Sequence, residues 1–572
     1  MQTATDAAAG TLAFALLVTT ACGQGEARFP LREPLRRDSD LQSFRAPCRT
    51  DDAGQPQCTP EEYVSPLVWD GADNLVFRPL AEAFAVEGST EAVNANSLDE
   101  VADSAWFTGR LGTRPFGVDE LRQGACKPEQ LLRPDTVTTG AWLIDKGKPN
   151  GASPGFRVNI AGQGKYMFKS DEPVPERPSA ASVIGAAAYH AVGFFTSCEQ
   201  VVYFKPSLLT LKPGLRSVAN FQAEKPFDQP ALAAILSKLS RRGELVRMQA
   251  SAWLSGRPLG PFRYEGVRAD DVNDVIPHQH RRELRGGRLL AAWLDHFDAR
   301  EQNTMDAWQS DGHAPDSPGH VIHYYLDTSD CLGSEWAWDG ISRRLGRSYV
   351  FDWGDVTSDF VTLGVRRRPW ELVQRTPGRE QFGYFEVEHF VPEDWKMEYP
   401  NPAFSRMTER DGAWMARILS RFTPEMVGAL AELGQFSDPS NTQHVARILE
   451  GRLQRILSRY LTRLSPIADL RLEGAELCGV DLARRRHLRP AAEYHYSALA
   501  ELGQTLVTRV GTDGELCVRL PPTVAPSSAP DTSPERYRRI RIASSAARGP
   551  LVVHLYDLGA RGFRIAGLER QE

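Results

Sequence analysis

A group of carboxylate and amide side chains between residues 293 and 327 has the composition of a metal-dependent site. An apolar helical segment ends near Asp298, and Asn303 follows five positions later. This spacing puts a carboxylate at the apex of a loop and an amide oxygen just downstream, which suits a group that orients a hydroxyl beside a magnesium ligand. The apolar run 321–326 then delivers Asp327 at a predicted strand end, where its carboxylate can hold a second position on the metal.

Lys169 is the candidate phosphate-binding residue. It ends the alternating segment 165–169, and a lysine on a strand can meet the phosphates of a bound nucleotide. Gly162 and Gly164 precede it and are the candidate covering turn, although they suit an ordinary hairpin equally well. Glu176, just before the next helix, is the candidate acidic partner of the lysine, and it would also complement the helix dipole. An exposed lysine at a strand end is common, so this group is weaker evidence than the carboxylate–amide spacing.

The segments around these residues have the periodicities of strands followed by amphipathic helices. An Ala-rich helix with Ser179 as its predicted cap separates the strands that precede it from those that follow. The region therefore runs from β-rich to α-rich, which fits two lobes. The predicted strands are 140–145, 156–160, 165–169, 201–204, 245–254 and 321–326, and the predicted helices are 179–192, 284–297, 414–422 and 445–461.

The order of these features resembles the atypical kinase-like fold of the phosphoinositide-kinase and HipA type. Residues 297–303, Phe-Asp-Ala-Arg-Glu-Gln-Asn, resemble the Asp-Arg-x-x-x-Asn catalytic loop of those proteins. The resemblance covers residues 140–465 and implies that Asp298 is the catalytic aspartate. It also implies that Asn303 and Asp327 bind Mg²⁺ beside ATP or another nucleotide. The whole chain is also similar to a group of bacterial lipoproteins of unassigned function, notably at residues 96–107.

Two departures from the family pattern leave alternatives open. The Asp-Phe-Gly of these proteins corresponds to Asp-Thr-Ser at 327–329, and Asp352 in the sequence Asp-Trp-Gly is the alternative metal ligand. We prefer Asp327 for its spacing from Asn303, and Asp352 would then be a turn carboxylate after a strand. The helix that follows Lys169 contains no acid to pair with it. A missing ion pair and an altered metal loop are also features of inactive pseudokinases.

The N-terminus indicates export. Residues 12–18 form a short apolar core, followed by small residues and then Cys22, which is the plan of a secretory signal. Ala-Cys-Gly around Cys22 resembles a bacterial lipobox, in which the cysteine is lipidated. Asp6 and Thr19 depart from that pattern, because a basic residue and a Leu or Val are usual in these regions. We therefore predict an envelope lipoprotein, outer-membrane or periplasm-facing, with residues 23–65 as a polar tether.

Charge and cysteine content limit the class of protein further. The 67 basic and 73 acidic residues give a net charge of −6, so nothing points to a nucleic-acid partner. Of the eight cysteines, Cys22 is assigned to the lipobox, which leaves an odd number and at least one unpaired thiol. Cys48 with Cys58 and Cys478 with Cys517 are candidate disulfides in an oxidising compartment. The cysteine and histidine spacings are not those of a zinc site.

The sequence predicts an α+β protein with a two-lobed kinase-like domain followed by a small C-terminal β-sandwich. The predicted parts are a signal peptide at 1–22, the tether at 23–65, an extension that packs on the core at 66–139, a β-rich lobe at 140–256, an α-rich lobe at 257–465 and the sandwich at 466–572.

Three function hypotheses follow. The first is an enzyme that transfers a phosphoryl or nucleotidyl group from a magnesium nucleotide to an unknown protein, glycan or small-molecule acceptor. The second is a catalytically silent envelope scaffold that binds a partner, since the periplasm has no obvious nucleotide pool. The third assigns the activity to the C-terminal module as a binding domain.

Overall fold

The protein is built from helices and strands that alternate along the chain, and its class is mixed α+β. Cys22, the predicted lipidation site, and Asp352, the alternative predicted metal ligand, lie outside the residues that the computed structural model describes. The described residues are 28–50, 54, 56–64, 67–84, 90–136, 138–148, 153–218, 223–314, 316–333, 353–397, 400–522 and 528–572.

The N-terminal residues lie along the body of the protein. The backbone N–H of Phe29 donates to the Tyr537 hydroxyl over 3.0 Å, and the buried Asp40 accepts from the backbone of Ala105 over 3.0 Å. The polar composition predicted a tether here, but these contacts anchor the segment. Its elements are β1 (Arg49–Thr50), β2 (Pro56–Gln57), α1 (Leu67–Ala72), α2 (Arg78–Phe84) and α3 (Val118–Gln123), with a π-helical turn, Asp73–Phe77, between α1 and α2.

A seven-stranded sheet follows, in the order β11-β12-β5-β4-β3-β8 with β7 paired to β12. Its strands alternate in burial, as Tyr166 and Phe168 illustrate within β5. The helices and strands of this part of the chain, of which β9 and β10 form a separate pair, are β3 (Trp142–Gly147), β4 (Gly155–Ile160), β5 (Gly164–Lys169), α4 (Arg177–Val192), β6 (Phe195–Thr196), β7 (Glu199–Phe204), β8 (Leu209–Leu211), β9 (Arg216–Ser217), β10 (Lys225–Pro226), α5 (Gln229–Ser237), β11 (Arg241–Arg242) and β12 (Leu245–Ala252).

Helix α4 is buried nearly all round, which suits its Ala-rich sequence. It begins at Arg177, two residues before the predicted cap. Ser179 is instead inside the first turn, where its backbone N–H and hydroxyl donate to the Asp171 carboxylate over 2.7 and 3.0 Å. A carboxylate from the preceding loop therefore satisfies the helix start.

The next part combines a small sheet with a helical core. The sheet has the order β13-β14-β15-β6, so the two-residue strand β6 joins it from the preceding region. The apolar faces of α4, α6 and α9 to α11 share one hydrophobic core. The elements are β13 (Arg257–Pro258), α6 (Arg282–Leu294), β14 (Thr304–Ser310), β15 (Gly319–Tyr325), α7 (Trp353–Thr362), α8 (Pro402–Ser405), α9 (Glu409–Leu419), α10 (Pro424–Leu433) and α11 (Pro439–Tyr460).

The C-terminal part has two antiparallel sheets around a common apolar core. Their orders are β16-β17-β21-β20 and β19-β18-β22-β23-β24. The elements are β16 (Ile467–Glu473), β17 (Glu476–Asp481), α12 (Leu482–Arg485), β18 (Tyr496–Leu499), β19 (Thr505–Leu506), β20 (Thr508–Val510), β21 (Glu515–Arg519), β22 (Tyr537–Ser544), β23 (Leu551–Asp557) and β24 (Phe563–Arg570). Within the described part of the chain, the helices are all too short or too polar to cross a bilayer.

Within the described residues, three disulfides join the chain, and both candidate pairs are among them. Cys48 is bonded to Cys58, and Cys478 to Cys517. A third bridge, between Cys126 and Cys198, was not predicted, because its partners are 72 residues apart in sequence. Cys331 is the free, buried cysteine of the described region.

Replacing Cys126 and Cys198 together with serine is expected to cost more stability than replacing Cys48 and Cys58. Cross-linking residues 72 apart constrains the unfolded chain more than cross-linking residues 10 apart, by about 1.7 kcal/mol in the chain-entropy model. Urea unfolding of the two double variants measures the difference. An equal or larger loss for the Cys48/Cys58 variant would contradict this expectation.

Candidate functional site

Lys169 and Asp327 form an ion pair that joins the large sheet to the loop after β15. The ammonium nitrogen is 2.8 Å from the Asp327 Oδ2, and the two side chains are 13% and 37% exposed. Lys169 ends β5, and Asp327 follows β15, so the pair links the ends of two strands in different sheets. The Ser329 hydroxyl donates to the other carboxylate oxygen of Asp327 over 2.7 Å.

Mutual attraction fixes the charges of this pair. Burial disfavours the charged form of both groups. For Lys169 the attraction of the Asp327 carboxylate is the stronger effect, so its pKa is raised. Burial likewise opposes the charge of Asp327, whereas Lys169 and then Lys148 hold its pKa well below the usual range. Both groups are therefore charged at neutral pH, and the carboxylate is an anionic oxygen donor of the kind that magnesium prefers.

Asp298 and Asn303 face each other across the loop between α6 and β14. The Asn303 side-chain nitrogen donates to the Asp298 carboxylate over 2.9 Å and to the Asp298 carbonyl over 2.7 Å. Arg300 Nε lies 2.8 Å from the other carboxylate oxygen. Because the amide nitrogen of Asn303 is engaged with Asp298, the amide oxygen is the atom that can bind a cation. Asp298 is only 3% exposed.

A backbone hydrogen bond joins this loop to the Asp327 segment. The backbone N–H of Leu326 donates to the Asn303 carbonyl over 2.9 Å. The His296 ring is hydrogen-bonded to the Tyr189 hydroxyl over 3.0 Å. Burial lowers the pKa of His296 to about 4, so the ring is neutral at neutral pH. The predicted residues Asp298, Asn303 and Asp327 therefore belong to one connected structure.

Helix α4 positions the segment after Asp327. Arg177 donates to the Ser329 and Cys331 carbonyls over 2.9 and 3.1 Å, and the Thr328 hydroxyl donates to the Ser182 carbonyl over 2.9 Å. A Cβ at Gly185 would lie 2.6 Å from the Cβ of Thr328, so only glycine permits this close approach. Helix α4 therefore holds the segment that carries the candidate metal ligand Asp327. The sequence predicted the helix but not these contacts.

Two charged residues near Lys169 were missed by sequence reasoning. Lys148 donates to the Ser153 carbonyl over 2.7 Å, and burial together with the charge of Lys169 lowers its pKa to about 8. Glu199 also interacts electrostatically with Lys169, while it accepts from Gln249 over 2.9 Å; burial raises its pKa. Glycines at both ends of the connection from β3 to β4 were the available signal for Lys148.

Gly162 and Gly164 are not close to Lys169 along the hairpin. In the register of β4 and β5, Gly164 pairs with Ile160 whereas Lys169 pairs with Gly155. The covering-turn residues therefore lie at the opposite end of a six-residue strand, about 16 Å along it. The connection between β3 and β4 is the one that meets Lys169, so the prediction for Gly162 and Gly164 is corrected.

Glu176 does not serve as the partner of Lys169. Its carboxylate accepts from the backbone N–H of Ser437 over 3.0 Å and from the Ser437 hydroxyl. Glu176 precedes α4 with a left-handed φ of 65°, which turns it toward the segment before α11. Asp327 is the direct partner of Lys169, with Glu199 as a second nearby acid.

The site therefore combines a lysine, a charged aspartate, an amide oxygen and a second aspartate beside an arginine. Such a set can hold phosphate oxygens, a divalent cation and a hydroxyl group together. No protein-family model matches this chain, and neither a curated protein nor a solved structure is significantly similar to it.

Proposed function

We propose that the protein binds a magnesium nucleotide at Lys169 and Asp327 and transfers a phosphoryl or nucleotidyl group to a hydroxyl acceptor. The observation that carries the proposal is the 2.8 Å ion pair between these residues, together with the bond that ties Asn303 to Leu326. A sheet-rich half followed by a helix-rich half supports the two-lobed kinase-like interpretation, and the paired sheets after residue 466 support the C-terminal sandwich.

The chemistry divides among the side chains already described. Asp327 and Asn303 would hold magnesium, which neutralises charge on the phosphate oxygens when bound. Lys169 would exchange its contact with Asp327 for a phosphate oxygen, and Lys148 supplies a second positive charge nearby. Asp298 would orient the acceptor hydroxyl and accept its proton as the hydroxyl oxygen bonds to phosphorus. The leaving group would be the nucleoside diphosphate in phosphoryl transfer, or pyrophosphate in nucleotidyl transfer. An unknown protein, glycan or small molecule is the acceptor in this proposal.

An envelope location remains part of the proposal. Three disulfides support an oxidising compartment, and Cys22 is the proposed site of the lipid anchor. The net charge of −6 gives no support to a nucleic-acid partner.

The burial of Asp298 favours a second candidate function, a silent scaffold. Both of its carboxylate oxygens are engaged, by Arg300 and Asn303, and only 3% of the residue is exposed. An acceptor would have to displace or reach past these groups. A scaffold that binds an envelope partner without transferring a group needs no such access.

Magnesium and ATP together are expected to raise the free energy of unfolding by about 2.7 kcal/mol at a hundred times the dissociation constant. The protein for this test is the chain with Cys22→Ser, which prevents lipidation. Lys169→Met and Asp327→Asn should each abolish the stabilisation. Lys165→Met is the matched control, because Lys165 is an exposed lysine at the far end of the same strand. Thermal unfolding of each variant, with and without ligand, measures the effect.

Three outcomes of this experiment are distinct. Stabilisation that is lost in both site variants and kept in the control supports the nucleotide site. Stabilisation that survives both substitutions places the nucleotide elsewhere and contradicts the proposed residues. Absence of any effect in the unsubstituted site favours the scaffold.

A further inference from the structure

A small hollow lies where the end of α11 meets two turns of the C-terminal part of the chain. Its volume is about 300 Å³, at the lower end of the range for ligand sites. Four arginines line it, and we call it the arginine hollow. They are Arg459 in the last turn of α11, Arg463 just after that helix, Arg489 between α12 and β18, and Arg548 between β22 and β23.

The rest of the wall narrows the class of ligand. Its side chains are small, and they include neither a carboxylate nor an aromatic ring; they belong to Ser458, Thr462, Ser545, Ala546 and Ala547. A nucleobase or another flat apolar group would find no ring to pack against. A concave site that is lined by one sign of charge instead favours a compact anion.

Backbone contacts fix the walls of the hollow relative to each other. The backbone N–H groups of Arg548 and Gly549 donate to the Arg463 carbonyl over 3.1 and 3.3 Å. The Thr462 hydroxyl donates to the Ser458 carbonyl over 2.7 Å. A carbonyl at the C-terminal end of α11, which would repel an anion, is therefore already engaged.

Two of the four arginines have acidic partners outside the wall. Arg459 is paired with Glu393 and, over 2.9 Å, with Glu409. The same Glu409 side chain lies 3.5 Å from Arg463. Two carboxylates therefore balance these two guanidinium groups and hold them in place.

Arg489 and Arg548 are not balanced in this way. Both are exposed, and neither forms an ion pair within the part of the chain that the structure describes. Glu493 and Glu572, whose backbones border the turn 545–549, are exposed too and form no ion pair with these arginines. Because a guanidinium is a permanent cation with five N–H donors, these two side chains are the groups available to an added anion.

We propose that the arginine hollow binds a phosphate group, either as the free ion or as a monoester. A phosphate presents several oxygens around one centre, which matches forked donors that approach from different parts of the chain. Arg489 and Arg548 would bind it directly, while Arg459 and Arg463 add positive charge from the helical side. The bound group would join the end of α11 to the C-terminal sheets, and its site shares no residue with the candidate nucleotide site.

Isothermal titration calorimetry of the full chain carrying Cys22→Ser tests the proposal, with EDTA present to keep magnesium from the candidate nucleotide site. The two probes are inorganic phosphate and glycerol 3-phosphate. The site variant is Arg489→Gln with Arg548→Gln. The matched control is Arg366→Gln with Arg367→Gln, because these arginines are also exposed and have no ion pair within the described ranges, but lie outside the hollow.

Inorganic phosphate should bind the unsubstituted chain, and the site variant should lose about thirty-fold in affinity, because it removes both unpaired guanidinium groups. The control loses the same charge elsewhere and should bind as the unsubstituted chain does. All four changed side chains are exposed, so thermal unfolding without ligand should be unaltered. Similar affinity for glycerol 3-phosphate would identify a phosphate monoester as an accepted ligand, and binding of inorganic phosphate alone would identify the free ion.

Three results would overturn the proposal. The first is the absence of binding of either probe at millimolar concentration and low ionic strength. The second is binding that the site variant retains in full, which would place the anion elsewhere. The third is an equal loss in the site variant and the control, which would show that phosphate responds to the net charge of the protein and not to this hollow.

Discussion

Replacing Asp99 with alanine is expected to lower the free energy of unfolding by about 3–5 kcal/mol. Its carboxylate lies 2.6 Å from Arg282, 3.0 Å from Arg417 and 3.0 Å from Arg570. Arg282, Arg417 and Arg570 are each at most 4% exposed. Without Asp99, Arg570 loses its ion pair, whereas Arg282 and Arg417 keep only the longer contacts with Asp411 at 3.3 Å and Glu100 at 3.4 Å. A buried arginine that loses its partner is the physical cause of the large effect.

The cluster matters because its members come from four distant parts of the chain. Asp99 lies in the loop 96–107 that precedes α3, Arg282 begins α6, Arg417 is in the last turn of α9, and Arg570 ends β24. Losing the shared carboxylate would therefore weaken the attachment of the C-terminal sheets to the helical core. The cluster also gives the segment 96–107 a structural role, because this segment supplies the shared carboxylate.

Urea unfolding of Asp99→Ala beside Asp469→Ala tests this expectation. Asp469 forms a two-bond pair with Arg421, at 2.8 and 2.7 Å, but its side chain is 36% exposed. Partly exposed pairs contribute about 0–1 kcal/mol, so the control should lose little. Similar losses in the two variants would mean that burial of the cluster is not what makes Asp99 important.

The same cluster predicts how stability depends on pH. Burial opposes the charge of Asp99, but Arg417, Arg282 and Arg570 hold its pKa well below the usual range. A folded-state pKa below the unfolded value of 3.8 means that the carboxylate stabilises the fold in full above that pH. The contribution disappears as the pH falls through the lower folded-state value. The stability difference between the native chain and Asp99→Asn should therefore be constant above about pH 5 and shrink below about pH 4.

Local patterns in the sequence predicted the strands of the first sheet closely. The alternating segments 156–160 and 165–169 correspond to β4 (Gly155–Ile160) and β5 (Gly164–Lys169). Alternation works here because each strand buries one face, so the signal is contained in adjacent residues. The third disulfide gave no such signal, since it depends on contact between residues 72 positions apart.

In the candidate site too, local sequence patterns indicated some residues and gave no signal for others. Asp298 and Asp327 were predicted because each directly follows a predicted helix or strand, and Asn303 because it stands five positions after Asp298. Their catalytic and metal-binding roles stay predictions. Lys148 was missed because it lies in the connection from β3 to β4. This connection comes close to Lys169 only through the pairing of β4 with β5, which places Gly155 opposite Lys169. Glu176 was assigned wrongly, because its partner Ser437 lies 261 residues away and no local pattern indicates that contact.

Asp298→Asn is expected to lower the rate of magnesium-dependent nucleotide turnover about 10²–10⁴-fold while nucleotide binding is retained. Asparagine keeps the shape of the side chain, and its one amide oxygen can accept from either Arg300 or Asn303 but not from both. An amide also does not take up a proton at neutral pH. The effect should therefore fall on the transfer step. Release of product from ATP measures it, with Asp311→Asn as the control, because Asp311 is an exposed carboxylate just after β14.

Binding and turnover together separate the two proposed functions. If the native chain is stabilised by magnesium and ATP and turns ATP over, unchanged turnover in Asp298→Asn would exclude this carboxylate as the proton acceptor. The other result is a native chain that binds the nucleotide but does not turn it over, even with candidate acceptors present. In that case Asp298 stays bound to Arg300 and Asn303 and does not accept a proton from an acceptor. The protein would then be a nucleotide-dependent scaffold, in which Arg300 and Asn303 occupy the carboxylate that an acceptor would need.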